Sequence, residues 1–193
     1  MFSKQAKESM KKLLLTVFLS PVAVYAMEQE YIKIRKAVVE DVAAIKELTA
    51  TVWRDTYSRF YSRKVVEKVI KDQELSWLEK QIQKPTIICI VAITSQGRLV
   101  GVVTSRRKTQ DFVKGIRLYV HPDYRNQSIG TQLIKNSMKY LVDAKLVRIE
   151  VKKDNERALN FYKRFGFKPV AQVNHTLYGE TAINIVLEKA LET

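Results

Sequence analysis

Leu118-Tyr119-Val120-His121-Pro122-Asp123-Tyr124-Arg125-Asn126-Gln127-Ser128-Ile129-Gly130 is the stretch on which the fold reading turns. Ile116, Leu118 and Val120 alternate as one side of a strand that stops at His121-Pro122. A polar turn follows, and then Leu133, Ile134, Ser137, Met138, Leu141 and Val142 recur on one helical face, which predicts a helix over residues 131–145. A strand that runs through a tight loop into a helix amino terminus is an anion trap. Successive backbone N–H groups converge there and the helix dipole adds about half a positive charge, so a pyrophosphate can bind without a dedicated side chain. The same pattern also describes an ordinary strand-loop-helix turn.

A second stretch follows in register. Val147, Ile149 and Val151 alternate as a strand with Arg148, Glu150 and Lys152 on its other face, and residues 155–165 read as a helix that Gly166 ends. In full it is Glu150-Val151-Lys152-Lys153-Asp154-Asn155-Glu156-Arg157-Ala158-Leu159-Asn160-Phe161-Tyr162-Lys163-Arg164-Phe165-Gly166-Phe167. The two stretches together resemble the GNAT superfamily of N-acetyltransferases over about residues 31–189. The acetyl-CoA loop of that family reads R/Q-x-x-G-x-G/A after a strand, and Arg125, Ser128 and Gly130 fill that spacing. The second family signature is a strand, then Asn, Ala, an aromatic-Tyr pair and Gly-Phe, all present here in order. Ser128 is a departure, since the family prefers glycine there for close approach to phosphate or a positive φ.

The resemblance implies a mixed, mostly antiparallel sheet of six to seven strands flanked by about four helices, with acetyl-CoA as cosubstrate and no metal. It implies cofactor contacts from Leu118, Tyr119 and Val120 through their backbone, from Arg125, Asn126, Gln127, Ser128, Ile129, Gly130 and Thr131 in the loop and helix start, and from Asn155. An oxyanion formed on the acetyl carbon would meet one of the backbone N–H groups of residues 118–120. Asn155 also suits a helix cap. Acetyl transfer to a primary amine needs a base, because a lysine-type ammonium has a pKa of about 10.4, and it needs a proton for the leaving thiolate. Tyr162 stands at the family position of the general acid. Glu150 is the candidate base, in a pattern similar to the ribosomal-protein alanine N-acetyltransferases. A water relay is the alternative for the base, and a surface pairing of Glu150 with Arg148 is the bland reading.

The rest of the chain fits around these stretches. Ile32 and Ile34 mark a strand, and Asp41 opens a helix carrying Val42, Ile45, Leu48 and Val52 on one face. A second helix is expected over residues 63–83, ahead of Pro85. Two β-branched runs, residues 87–93 and 98–105, flank Ser95-Gln96-Gly97 as a hairpin that holds Cys89 as a small buried hydrophobe. Residues 168–173 and 182–187 close the sheet. Trp53, Tyr57, Tyr61 and residues 174–179 are expected to wall the acceptor site.

With 46% hydrophobic and 28% charged residues, the 193-residue chain can bury a full core, which excludes disorder of the whole chain. One cysteine and two histidines leave no disulfide and no ligand set for a zinc cage. His121 and His175 are given no role.

Residues 1–26 pair a basic start (Lys4, Lys7, Lys11, Lys12) with an apolar run ending in small residues, like a secretory signal, and that run is too short for a bilayer span. An upstream extension before Met27 reads equally well, which leaves residues 27–193 as one domain. Donor chemistry favours a cytoplasmic enzyme, and the signal-like segment offers export as the alternative. Residues 1–26 carry four lysines against one glutamate and leave +11 of the net +14 to the folded body.

That charge favours anionic partners and disfavours polyamine or aminoglycoside acceptors, so the acceptor is expected to be a peptide or protein amine flanked by acidic residues, or an amine on an anionic metabolite. The basic run Arg106-Arg107-Lys108 reads as a solvated face, and nothing signals specific nucleic-acid binding. The rival reading is a non-catalytic acyl-CoA sensor or interaction module on the same fold. A monomer and a homodimer both remain open.

Overall fold

A computed structural model describes residues 31–141 and 143–191; the reading of residues 1–26 lies outside them. Among the described residues, seven strands and five α-helices follow one another in the predicted order. They are β1 (Ile32–Lys36), α1 (Val42–Thr56), α2 (Arg63–Lys71), α3 (Leu75–Ile82), β2 (Ile87–Thr94), β3 (Leu99–Arg107), β4 (Phe112–Val120), α4 (Ile129–Met138), β5 (Leu146–Lys152), α5 (Glu156–Arg164), β6 (Lys168–Leu177) and β7 (Glu180–Ala190). The strands form one sheet in the order β1-β2-β3-β4-β5-β7-β6, and every pair is antiparallel except β4 with β5. This is the mixed, mostly antiparallel sheet that the sequence led us to expect.

Three boundaries differ from the sequence reading, each for a local reason. The helix expected over residues 63–83 is two helices, because the chain leaves helical geometry after Asp72 and restarts with Glu74 in an extended conformation. The helix expected to reach residue 145 ends at Met138, with Tyr140, Leu141 and Ala144 continuing in single turns whose amides bond back to Ser137, Met138 and Leu141. The last two strands are longer than expected, since Tyr178 and Gly179, at φ +49° and +87°, make a two-residue turn that keeps Leu177 opposite Glu180.

Both faces of the sheet are covered. On β2, Cys89 and Val91 point toward Ile45, Leu48 and Val52 of α1, while Ile90 and Ala92 point toward Ile129, Leu133 and Ile134 of α4. Close packing of α4 depends on Gly101 in β3, where a Cβ would lie 2.8 Å from Leu133 Cδ1 and 3.1 Å from Ile129 Cγ2. A smaller cluster of Tyr61, Val65 and Val66 gathers Trp53 and Tyr57 against Leu177 and Ala182 at the far end. Among the described residues no helix is long and apolar enough to cross a membrane.

The feature that positions everything else is a bulge in β4. Ser105 faces Ile116 and Arg107 faces Val113, so the single Arg106 of β3 stands opposite both Lys114 and Gly115. Gly115 takes up the extra residue at φ +83°, a conformation in which side-chain-bearing residues are strained. The parallel pairing of β4 to β5 covers only Phe112 to Lys114, against Leu146 to Arg148, and stops at the same point. Beyond it β4 stays with β3, β5 stays with β7, and the two central strands part.

We expect Gly115→Ala to destabilise the chain by about 1–2 kcal/mol through that backbone strain. No Cβ clash contributes, since nothing lies within 4 Å of the added carbon. A urea unfolding midpoint measured against the parent protein checks this.

Candidate active site

The gap between the parting strands is a cleft of about 770 Å³. One wall is Lys114, Gly115 and Arg117 to Val120 of β4, the other is Arg148 to Lys152 of β5, α5 closes one side with Ala158, Phe161 and Tyr162, and Trp53 and Thr56 of α1 contribute with Tyr57 just after it. Arg125, Asn126 and Ser128 to Thr131 are grouped at one end and Tyr61, Lys152, His175 and Asn184 at the other, whereas Gln127 is outside the lining, its Nε2 donating to Asp123 O at 3.3 Å.

The loop end has the geometry that its sequence suggested. His121 accepts the Asp123 amide at 3.4 Å on Nδ1 and starts a 3-10 turn over Pro122–Tyr124. Asn126 and Ser128 then both adopt left-handed backbone, at φ +64° and +60°. Ser128 thus takes the conformation for which glycine is preferred, at a steric cost, and its side chain makes no cap bond to α4. The first amides of α4 have no intrahelical acceptor, as at any helix start, and Ile129, Gly130 and Thr131 line the cleft there. Gly130 packs against the Phe161 ring, 3.5 Å from where a Cβ would sit.

Side chains add positive charge to this end. The Arg125 guanidinium lies 2.5 Å from Asp55 and 3.1 Å from Thr56 Oγ1 on α1, which ties the loop to that helix. Arg157, not singled out from sequence, lies in the same place. Burial and the repulsion of Arg125 and Arg59, only partly offset by Asp55, lower its pKa. Asn155 caps α5, its Oδ1 accepting the Ala158 amide at 3.2 Å, and also lines the cleft.

Three phenols occupy the middle. Tyr162 is 6% exposed, its ring edge-on to Phe161 and Phe167 at 5.3 Å and 5.5 Å. Burial, reinforced by Tyr119, pushes its pKa well above the usual tyrosine value. Burial likewise raises that of Tyr57, with Tyr119 and Tyr162 as electrostatic neighbours. Tyr57 and Tyr162 therefore keep their protons through neutral pH.

At the far end Glu150 is not paired with Arg148. Arg148 Nε donates to Glu188 of β7 at 2.5 Å, whereas Glu150 accepts from Asn184 Nδ2 at 3.2 Å and faces Lys114 Nζ at 3.9 Å. Of the residues expected to wall the acceptor site, Trp53, Tyr57, Tyr61, His175 and Leu177 line the cleft, and Asn174, Thr176, Tyr178 and Gly179 do not. Trp53 stacks on Tyr57 at 4.3 Å and lies 6.5 Å from Tyr61, and His175 and Leu177 complete the lining. His175, given no role from sequence, accepts or donates at 3.1 Å with Tyr61 Oη. Lys152 and Asn184 also escaped sequence reasoning. They face each other across β5 and β7, and only the strand register brings them together. Cys89 lies elsewhere, in the α1 core, where burial pushes its thiol up to about 12. Arg106 and Arg107 lie outside the cleft lining, bonded to Gln81 Oε1 at 3.1 Å and Gln110 O at 2.6 Å.

Comparison with known proteins agrees with this geometry. A family model described as the acetyltransferase (GNAT) family matches residues 46–167. The chain is 26% identical over 144 residues to a spermidine N(1)-acetyltransferase of Thermoplasma acidophilum, covering 71% of this chain and 88% of that one. Among solved structures, a PaiA N-acetyltransferase of the same organism in complex with coenzyme A superposes with a TM-score of 0.72 at 24% identity, over 83% of this chain and 99% of that one. The ribosomal-protein-S18-alanine N-acetyltransferase of Escherichia coli superposes with a TM-score of 0.63 at 14% identity, over 84% and 96% of the two chains, a likeness of fold alone. The chain belongs to the acetyltransferase (GNAT) family and is an N-acetyltransferase.

Proposed function

We propose that the cleft holds acetyl-CoA with its pyrophosphate at the loop of residues 125–130 and the start of α4, its pantetheine arm along residues 118–120, and its acetyl group where β4 and β5 part. The observation that carries this reading is the junction of an unpaired stretch of β4 edge with a helix amino terminus, inside one cleft. The PaiA relative, bound to coenzyme A, supports the donor. Arg157, pressed against Arg125 and Arg59, gains from a phosphate what it lacks in the free protein. A cytoplasmic setting suits this donor.

Transfer is by direct attack of a primary amine on the thioester carbon. Cys89 is neither in the cleft nor ionised near neutral pH, so it forms no acyl-enzyme. Glu150, with its carboxylate held by Asn184, takes the proton of the acceptor ammonium directly or through one water. A backbone N–H of residues 118–120 receives the oxyanion as the carbonyl becomes tetrahedral. When the C–S bond breaks, the sulfur takes up negative charge beside Tyr162. A phenol held protonated by burial donates a hydrogen bond first and its proton only as the thiolate forms, and it is reprotonated, through water, by the second proton that the attacking nitrogen loses as the amide forms, which limits its action to the collapse of the intermediate.

Three outcomes test the assignment. Tyr162→Phe lowers kcat by about 10²-fold with the KM for acetyl-CoA unchanged, read by CoA thiol release. Glu150→Gln lowers kcat/KM at pH 7 by about 10²-fold or more and displaces the pH profile upward, with activity recovering toward the acceptor ammonium pKa of about 10. Ser128→Gly relieves the left-handed serine, so calorimetry gives equal or tighter acetyl-CoA binding. Weaker binding than the parent's would mean that the hydroxyl itself holds phosphate.

A further inference from the structure

The end of the cleft remote from the phosphate loop contains two polar groups whose bonding is incomplete. Lys152 is 8% exposed. Its Nζ donates to Tyr61 Oη and lies 4.5 Å from the centre of that ring, and among the described residues no carboxylate comes within ion-pair distance of it. Tyr61 cannot neutralise it, because burial raises its pKa and keeps its hydroxyl uncharged, 3.1 Å from His175 Nδ1. Burial, only partly offset by Glu150, lowers the Lys152 pKa to about 8, the mark of an ammonium without its counter-charge. An ammonium has three donors, and two of these remain for a ligand.

Opposite it, Asn184 is 5% exposed. Its Nδ2 donates to Glu150 Oε2 at 3.2 Å, and its buried Oδ1 has no hydrogen-bond partner among the described residues. Buried acceptors are satisfied almost everywhere in folded proteins, so an unpartnered one on a residue that lines a cleft points at a missing donor. Lys152 and Asn184 are direct partners across β5 and β7, and Glu150 is two residues along the same face. A cation-binding pair, the Glu150 carboxylate with Asn184 Oδ1, therefore stands beside an anion-binding ammonium.

We propose that this end of the cleft recognises an acceptor that carries a carboxylate next to its reactive amine, with the carboxylate on Lys152 Nζ and the amine between Glu150 and Asn184 Oδ1. The acceptor is an amino acid or the zwitterionic end of a similarly small metabolite. A polyamine brings more positive charge to a site where Lys152 has no counter-charge and where Arg117 adds a further positive charge to the lining, and it leaves Lys152 unpaired. On this point the chain departs from its spermidine-acetylating relative. The inference rests on the acetyl-transfer reading of the same cleft, and it adds the chemistry of the acceptor.

The test is CoA thiol release by the full chain with the common amino acids, with their carboxamides and with spermidine. In the same series, calorimetric binding of acetyl-CoA reads the donor site separately. A charged hydrogen bond is worth about tenfold or more in kcat/KM, so the best amino acid should exceed its own carboxamide by at least that factor and exceed spermidine further. Lys152→Met should remove the acid-over-amide preference by raising KM for the acid, and Lys152→Arg should keep part of it. Retained acetyl-CoA binding certifies that each variant is folded. Carboxamides or spermidine used as well as the acids, a preference that survives Lys152→Met, or no turnover by any amine while acetyl-CoA still binds would each overturn the inference. Loss of acetyl-CoA binding by the parent chain would instead overturn the donor reading.

Discussion

The parting of β4 from β5 is the constraint on which the molecule's chemistry depends. A sheet saturates its own hydrogen bonds wherever neighbouring strands stay in register, and a saturated sheet offers a ligand nothing from its backbone. Here one extra residue in β4, taken up by Gly115 in a conformation that glycine adopts without strain, coincides with the end of the parallel pairing of β4 with β5. Each strand keeps its outer partner, so the gap costs a few ladder bonds on one edge and leaves the rest of the sheet intact. The consequence is a slot through the middle of the sheet, floored by α5 and ending at the amino terminus of α4.

Charge is distributed along that slot in a way that fits its two substrates. Near α4, Arg125 is neutralised by Asp55, and the less compensated Arg157 stands with it. In the middle the polar groups are neutral phenols held protonated by burial, so the reacting centre is poor in fixed charge and any charge that develops there is felt strongly. At the far end a single carboxylate, Glu150, faces Lys114 and lies along the strand from Lys152. The net charge of the chain implied anionic partners in general, and the proposed donor and acceptor put two such anions at the two ends of the cleft.

Much of this was legible in the sequence, and the limits of legibility are physical. Strand alternation at 147–151, the loop at 121–130 and the Asn155 to Phe167 signature are local patterns, and local patterns specify local structure. The bulge left a signal too, since Gly115 stands inside the strand-forming stretch 112–120, and an isolated glycine in a strand is a known mark of a bulge. The partner of Arg148 was not legible. Glu150 is nearest in sequence on the same strand face, yet a cross-strand neighbour is closer in space, and Glu188 sits directly opposite Arg148 in the β5–β7 register. The same register joins Lys152 to Asn184. Read along the chain, Lys152 belongs to a solvated face of alternating charges, and its burial depends on Tyr61 from a segment more than ninety residues away.

The incompletely bonded groups at the far end are best understood against the packing that holds them. A buried ammonium without a counter-ion and a buried carbonyl without a donor each lower stability, by about 1–3 kcal/mol for the neutral group and more for the charged one. A fold can retain them only where the backbone is already fixed by other interactions. β5 and β7 are paired along their whole length in this region, and Tyr61, 4% exposed, is locked among Val65, Val66 and Leu177. Lys152 and Asn184 therefore have no route to relax toward water without breaking a ladder or a core. That same rigidity makes them ready for a ligand, because the cost of stripping water from both groups has been met in folding and does not recur on binding.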